Sequence, residues 1–173
     1  MQNAETIQIL QASTPEHFEQ IRKLIREFVR WHLQRHLEDI ELINEYFDSK
    51  GFEEELVSLP GKYSNPRGRL LLALYEDQPA GCVALKEIDI QTCEMKRMFV
   101  YTQFHGKGIG YALAKAIIDE ARGIGYSYMK LDTSFRQVEA IRLYESFGFK
   151  KIEAYYYLPE KMRNWLVFRE LQL

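Results

Sequence analysis

Cysteine and long apolar runs are both scarce in this sequence. Its 173 residues include two cysteines, Cys82 and Cys93, and neither belongs to a CxxC pair, so a disulfide framework is excluded. No run approaches the roughly 18 apolar residues that a membrane-spanning helix needs. Residues 1–5 lack the cationic and apolar pattern of a signal peptide, and we therefore expect a cytoplasmic protein without such a leader.

The chain also lacks an excess of charge of one sign, because 23 basic and 25 acidic side chains leave a formal net charge of −2. We therefore expect no whole-chain attraction to nucleic acid or to an anionic membrane. Hydrophobic residues make up 46% and charged residues 28% of the chain. This is the balance of a globular protein that is large enough to bury a core of its own.

The order of periodic segments predicts a single domain over residues 1–173, since no linker, internal repeat or low-complexity tract divides the chain. The pattern indicates a strand, several helices, three strands, a helix, a strand, a helix and two final strands. The final strands are predicted at 149–157 and 165–171. This order predicts a mixed α/β (α+β) fold.

A glycine-rich turn in segment 99–111 carries the most information about function. A predicted strand ends there, the chain passes through Gly106, Gly108 and Gly110, and a helix begins. The first N–H groups of a helix have no partner within the helix, and the helix dipole adds positive charge at that end. Such a turn can bind a phosphate or pyrophosphate, although a turn that only reverses the chain is the simpler alternative.

Two familiar phosphate motifs fit this turn poorly. The string G-x-x-x-x-G-K-[ST] of nucleoside triphosphatases does not occur. The dinucleotide fingerprint G-x-G-x-x-G fails at its last position, which is Tyr111. Asp132 ends the next predicted strand, where a ribose-binding acid would stand, so a dinucleotide-binding oxidoreductase stays open as an alternative. Too little chain follows the turn, however, for a doubly wound sheet.

A third pattern fits the turn and its surroundings. Residues 103–108 match Q/R-x-x-G-x-G/A and resemble the coenzyme A signature of the GNAT superfamily of N-acetyltransferases. Residues 94–100 look like the superfamily's fourth strand, and residues 140–149 are similar to its second motif, A-I-x-L-Y-E-x-x-G-F. The resemblance implies a GNAT-like acyl-CoA N-acyltransferase fold. In that fold a mostly antiparallel sheet has one splayed parallel strand pair and helices on both faces.

The resemblance also implies acetyl-CoA as cosubstrate and acetyl transfer to a primary amine by direct attack in a ternary complex. The coenzyme would enter between the strands at 93–100 and 126–132. The residues that the resemblance assigns to coenzyme binding are Met98, Phe99, Val100, Gln103, His105, Gly106, Lys107, Gly108, Ile109, Gly110, Tyr111 and Gln137. Two of them depart from the family's usual residues, since His105 stands where Arg is frequent and Gln137 where Asn is frequent.

Amine acetylation needs a group that takes a proton from the amine and a group that gives one to the leaving thiolate. The resemblance implies Tyr144 as the proton donor, and a core aromatic is the alternative. Glu94 resembles the strand glutamate that serves as base in some family members. Strand alternation predicts Glu94 on the face that carries Met98 and Val100. The alternative for Glu94 is an ion pair with Lys96 or Arg97, or a solvated side chain.

Several other interpretations of the sequence stay open, and others are not favoured. A non-catalytic acyl-CoA-binding domain on the same fold is an alternative to an enzyme. His32 and His36 have helical spacing but no evident third ligand, so we expect no metal. The acidic stretch 38–55 either attracts a cationic amine or is a solvated face. The tyrosines of 155–157 could line an acceptor pocket. Glu87 is a reserve candidate for the base, and the resemblance leaves a homodimer open.

Overall fold

The computed structural model describes residues 6–173, apart from the side chain of Ser49. Residues 1–5, on which the expected lack of a signal peptide rests, lie outside this range. The strands are β1 (Ile7–Gln11), β2 (Arg69–Tyr75), β3 (Gln78–Glu87), β4 (Thr92–Val100), β5 (Tyr128–Ser134), β6 (Lys150–Ile152) and β7 (Leu166–Gln172). The helices are α1 (Pro15–Arg35), α2 (Ile40–Tyr46), α3 (Ser49–Val57), α4 (Ile109–Ile124), α5 (Val138–Ser146) and α6 (Glu160–Trp165).

The strands form one sheet in the order β1-β2-β3-β4-β5-β7-β6. Its neighbours pair antiparallel except β4 and β5, which pair parallel. The parallel ladder begins at Thr92 opposite Tyr128 and ends at Glu94 opposite Lys130. Beyond that pair both strands continue without pairing with each other. The mixed fold and the splayed parallel pair predicted from the sequence are confirmed.

Helices cover both faces of the sheet because the buried strands are apolar on both sides. Leu113 of α4 shares one hydrophobic cluster with Val83 of β3. Leu24 of α1 shares a second cluster with Leu72 of β2 on the opposite face. Each fully buried aliphatic side chain of this kind contributes about 1.5–3 kcal/mol. The two clusters therefore hold α4 and α1 against opposite sides of the strands that lead to the glycine-rich turn.

The regular alternation of β4 is interrupted at its middle. Val83 of β3 lies opposite two consecutive residues of β4, Arg97 and Met98, which is the arrangement of a β-bulge. Arg97 adopts a positive φ of 58°, a conformation that costs a non-glycine residue energy and needs support from its surroundings. The bulge therefore adds one residue to β4 shortly before the glycine-rich turn.

The bulge makes one sequence prediction wrong. Strict alternation placed Glu94 and Lys96 on the same face as Met98 and Val100. The extra residue reverses the pattern, so Met98 and Val100 pack against the cluster under α4, together with Met95. The neighbours of Met95, which are Glu94 and Lys96, point to the opposite face. The predicted base and the predicted coenzyme contacts thus lie on different sides of the strand.

An ion pair holds the bulged residue in place. The guanidinium of Arg97 donates to both carboxylate oxygens of Glu55 on α3, at 3.0 and 2.6 Å. Their side chains are only 9% and 8% exposed. Burial alone would raise the pKa of Glu55, but the bonds and charge of Arg97, with a hydrogen bond from Tyr63, lower it to about 2. This pair ties α3 to the bulge in β4.

The predicted strand 149–157 is much shorter in the structure. Only Lys150–Ile152 pairs with β7, at the edge of the sheet. The chain then leaves the edge of the sheet. The ring of Tyr155 packs edge-on against Phe168, with ring centroids 5.6 Å apart, and its hydroxyl turns toward β4. Residues 153–159 are therefore a loop that leads to α6 rather than a continuation of the strand.

Replacing Glu55 by Gln tests the support of the bulge. The change leaves the buried Arg97 guanidinium without its counter-charge, so we expect the free energy of unfolding to fall by about 3 kcal/mol. Urea unfolding at neutral pH measures it. Glu53→Gln is the matched control, because its ion pair with Arg26 is exposed and should contribute at most about 0.5 kcal/mol. Equal losses in both variants would contradict the prediction.

The same pair predicts a pH dependence. The folded-state pKa of Glu55 is lowered from 4.5 to about 2. Its stabilising contribution is therefore complete above the unfolded pKa and is lost as the pH falls through the range between these two values. The difference in stability between wild type and Glu55→Gln should shrink across that range.

Candidate active site

The glycine-rich turn has the geometry of an anion-binding helix start. Gly106 and Gly108 have φ values of 80° and 81°, which glycine adopts without strain. Gly108 is the residue that precedes α4, and no side chain caps the helix there. The first N–H groups of α4 therefore have neither an intrahelical partner nor a capping side chain. They can donate to the oxygens of a phosphate group.

A cavity of about 330 Å³ opens between this turn, the end of β4 and the start of α5. Nine of the twelve residues predicted to bind coenzyme line it: Met98, Phe99, Val100, His105, Gly106, Gly108, Ile109, Gly110 and Gln137. The other three, Gln103, Lys107 and Tyr111, lie outside its lining. The ring of Tyr111 stacks on Phe147 with centroids 4.9 Å apart. We call this space the outer cavity.

Two of the lining residues show how the outer cavity is built. His105 donates through Nε2 to the carbonyl oxygen of Val100 at 2.9 Å, which joins the turn to the end of β4. Gln137 is only 7% exposed, and its Nε2 has no hydrogen-bond partner within residues 6–173. A buried amide without a partner costs roughly 1–3 kcal/mol. Its place in the lining suits an amide donor for a ligand carbonyl.

A small inner cavity of about 80 Å³ lies deeper, where β4 and β5 have separated. Gln137 and Met98 line both cavities, so the two adjoin each other. Tyr144 of α5 also lines the inner cavity and is only 6% exposed. Burial, with a contribution from the charge of Asp132, raises the pKa of Tyr144 well above its usual value. The hydroxyl is therefore protonated at neutral pH and can donate a proton.

A third cavity of about 450 Å³, here the far cavity, opens on the other side of β4. It shares Tyr46, Lys96 and Arg97 with the inner cavity. Its wall includes Tyr155 and Tyr156 of the loop that replaces the predicted strand. The three cavities therefore follow one another from the glycine-rich turn, past the gap between the strands, to the opposite face of the sheet.

Glu94 lines the far cavity and is only 4% exposed. It accepts a hydrogen bond from Tyr155 and lies 3.4 Å from the Nζ atom of Lys86 and 3.5 Å from that of Lys96. Burial would raise its pKa, but these three partners outweigh burial and lower it. The ion pair that the sequence left open is thus present. Glu87 pairs with Arg67 and lines none of these cavities.

The hydrogen-bond partners of Asp132 were not predicted from the sequence, which indicated Asp132 only as a possible ribose-binding acid. Asp132 lines the inner cavity. Its Oδ1 accepts a hydrogen bond from Tyr46 at 2.5 Å, and its Oδ2 accepts one from Tyr156 at 2.6 Å. Its position near the end of a predicted strand was visible in the sequence, but the end of the β4–β5 pairing at Lys130 was not.

The acidic stretch 38–55 divides between structural roles and the far cavity. Asp39 accepts hydrogen bonds from Arg136 and Trp165, while Glu45 lines the far cavity. In the part of the chain that the structure describes, no group of three or more His, Cys, Asp or Glu is arranged to hold a metal ion. None of the helices described over 6–173 is both long and apolar enough to cross a membrane.

The chain is similar to known proteins in sequence and in fold. Residues 27–149 match the acetyltransferase (GNAT) family. The chain is 35% identical to an uncharacterized N-acetyltransferase of Schizosaccharomyces pombe over 92% of each protein. It is 29% identical to one of Dictyostelium discoideum, over 91% of this chain and 95% of that protein. Its fold is similar to the PaiA N-acetyltransferase of Thermoplasma acidophilum crystallised with coenzyme A, with a TM-score of 0.72, 21% identity and coverage of 97% and 99%.

Alanine in place of Gly108 tests the conformation of the turn. A Cβ at Gly108 meets nothing within 4 Å, so its cost is the positive φ of 81°, about 1–2 kcal/mol of unfolding free energy. Gly123→Ala is the matched control, because Gly123 lies within α4 with equally open surroundings. The control should stabilise by roughly 0.5–1 kcal/mol. Urea unfolding measures both, and effects of the same sign would contradict the prediction.

Proposed function

The chain belongs to the acetyltransferase (GNAT) family and is an acetyl-CoA-dependent N-acetyltransferase, and we propose that it acetylates a primary amine by direct attack. The observation that carries this proposal is the series of adjoining cavities from the turn to the far side of the sheet. Such an arrangement lets two substrates approach one point from opposite sides. The proposed acceptor is a primary amine of a small molecule, a peptide or a protein.

The outer cavity fits the coenzyme in its chemistry. The N–H groups after Gly108 would hold the pyrophosphate, and the backbone of residues 98–100 would hold the pantetheine arm. The unpartnered amide of Gln137 would donate to a carbonyl of that arm. Acetyl-CoA supplies the activated acyl group as a thioester. These residues would place the thioester at the inner cavity, beside Tyr144.

Direct attack is favoured over a covalent intermediate on the enzyme. Cys82 and Cys93 are both buried in the core, and burial raises the pKa of each thiol to about 12. A protonated thiol is a poor nucleophile. Tyr144 instead would donate its proton to the thiolate as the thioester carbon–sulfur bond breaks. The proton acceptor predicted from the sequence, Glu94, stays a prediction, and its lowered pKa makes it a weak base.

The alternatives from the sequence are less well supported. Asp132 is hydrogen-bonded to Tyr46 and Tyr156 and does not line the cavity beside the glycine-rich turn, where a ribose-binding acid of a dinucleotide site would be needed. A non-catalytic acyl-CoA-binding domain would not need a buried, protonated Tyr144 in the inner cavity. An acetyl-transferring enzyme is therefore the better reading.

Removing the hydroxyl of Tyr144 tests its role in turnover. We expect Tyr144→Phe to lower kcat by about 10²-fold or more, because general acid catalysis contributes on that scale, and to leave coenzyme A affinity unchanged. The assay follows thiol release from acetyl-CoA with a polyamine, amino acids, an aminoglycoside and peptides with free amino groups. Tyr157→Phe is the control, since Tyr157 is 91% exposed.

Two outcomes would count against these roles. Equal losses of turnover and coenzyme affinity in Tyr144→Phe would indicate a structural tyrosine. Binding of acetyl-CoA without transfer to any amine of the panel would favour the non-catalytic alternative.

Gln137→Leu tests the coenzyme cavity separately from the chemistry. The change removes a buried amide whose nitrogen has no hydrogen-bond partner among residues 6–173, so we expect no loss of stability. The loss of one hydrogen bond to the coenzyme should weaken its binding about tenfold. Calorimetric titration with coenzyme A measures the affinity. Gln8→Leu, on the exposed part of β1, is the control and should leave the affinity unchanged.

A further inference from the structure

We propose that the carboxylate of Asp132, held by Tyr46 and Tyr156, binds the amino group of the acceptor and takes its proton. This inference rests on the proposed function and names the group that contacts the reacting nitrogen. It differs from the sequence prediction, which assigned the proton acceptor to Glu94.

The position of Asp132 follows from the parting of the two central strands. The β4–β5 ladder ends at Lys130 of β5, and Asp132 is two residues further along the same strand. At that point β5 still pairs with β7 but no longer with β4, and the side chain lines the inner cavity. Tyr144 lines the same cavity, and the charge of Asp132 contributes to its raised pKa. The carboxylate and the proposed proton donor are therefore close neighbours.

The contacts of Asp132 orient the carboxylate without neutralising it. Tyr46 comes from α2 and Tyr156 from the loop after β6, and each donates to a different carboxylate oxygen. Burial, reinforced by the charge of Asp132, raises the pKa of both tyrosines. Both hydroxyls are therefore protonated, neutral donors at physiological pH. A carboxylate has about four lone-pair sites, so oxygen sites are left for the N–H groups of an ammonium.

Glu94 differs from Asp132 in its charge environment. Two lysines, Lys86 and Lys96, lie within 3.5 Å of the same oxygen of Glu94, so cations of the protein already surround its charge. The hydrogen-bond donors described for Asp132 are hydroxyl groups. A cationic acceptor is therefore attracted to Asp132 more than to Glu94. The far cavity, which shares Tyr46 with the inner cavity, gives the acceptor its path.

The proposed step balances in protons and electrons. Asp132 accepts a proton from the ammonium, and the nitrogen lone pair then forms a bond to the thioester carbonyl carbon. The tetrahedral adduct loses a second nitrogen proton to solvent, and the carbon–sulfur bond breaks with its electron pair on sulfur. Tyr144 gives its proton to that thiolate, and the proton on Asp132 returns to the tyrosine through solvent. One proton is released overall, together with the amide and coenzyme A.

The test compares Asp132→Asn with wild type, using the amines of the panel and methylamine, which presents little besides its amino group. We expect kcat/KM for the amine to fall by about 10²–10⁴-fold, while the calorimetric affinity for acetyl-CoA stays unchanged and shows that the variant is folded. Asp119→Asn is the matched control, because Asp119 lies on α4 in exposed pairs with Lys115 and Arg122. The control should keep wild-type activity.

A second amine separates a chemical role from a structural one. Trifluoroethylamine is similar in size to small alkylamines but is mostly unprotonated at neutral pH. Because its nitrogen already has a free lone pair, it needs neither a carboxylate that binds an ammonium group nor a base that removes a proton. The loss caused by Asp132→Asn should therefore be at least about tenfold smaller with trifluoroethylamine than with methylamine. Equal losses with both amines would show that Asp132 acts only through structure, which overturns the inference.

The remaining outcomes are also distinguishable. Wild-type activity in Asp132→Asn together with a large loss in Glu94→Gln overturns the inference and supports the base predicted from the sequence. If Asp132→Asn fails to bind acetyl-CoA, the paired variants Tyr46→Phe and Tyr156→Phe replace it, and activity unchanged in both overturns the inference. If the wild-type enzyme acetylates no amine, including methylamine, the proposed function fails, and the inference fails with it.

Discussion

The parallel pairing of β4 and β5 is limited to three residue pairs, and the site depends on that limit. After Glu94 and Lys130 the two strands continue with no hydrogen bonds to each other. The inner cavity lies at this gap, between the cavity at the glycine-rich turn and the cavity on the opposite face. A fully paired ladder would close the gap, whatever residues stood along it. The proposed meeting of thioester and amine is thus a consequence of how the sheet opens.

The bulge in β4 decides which side chains face the gap. Arg97 takes a positive φ there, and its ion pair with Glu55 of α3 supports that conformation. Because the bulge adds one residue, Met98 and Val100 turn to the face covered by α4, while Glu94 stays on the other face. The strand therefore offers the predicted coenzyme contacts on one side and a charged cavity wall on the other.

The two carboxylates near the gap illustrate how surroundings assign roles. Glu94 accepts a hydrogen bond from Tyr155 and lies beside two lysines, and these partners lower its pKa. Its contacts therefore stabilise the wall of the far cavity. In the hydrogen bonds described for Asp132, the donors are all hydroxyl groups. The two carboxylates are the same chemical group, and they differ because their neighbouring residues differ. The partners of Asp132 come from α2 and from the loop after β6, which are segments outside the glycine-rich motif.

The family, the order of elements and most residues of the outer cavity could be predicted from the sequence, because those features lie in contiguous stretches of the chain. The turn at 103–108 and the helix motif at 140–149 are each read locally, and the structure places Tyr144 beside the inner cavity. Only the tertiary structure decided the face of Glu94 and the surroundings of Asp132. A one-residue bulge reverses alternation without a local signal, and Asp132 meets Tyr46 across 86 residues of sequence, a contact that no local periodicity can specify.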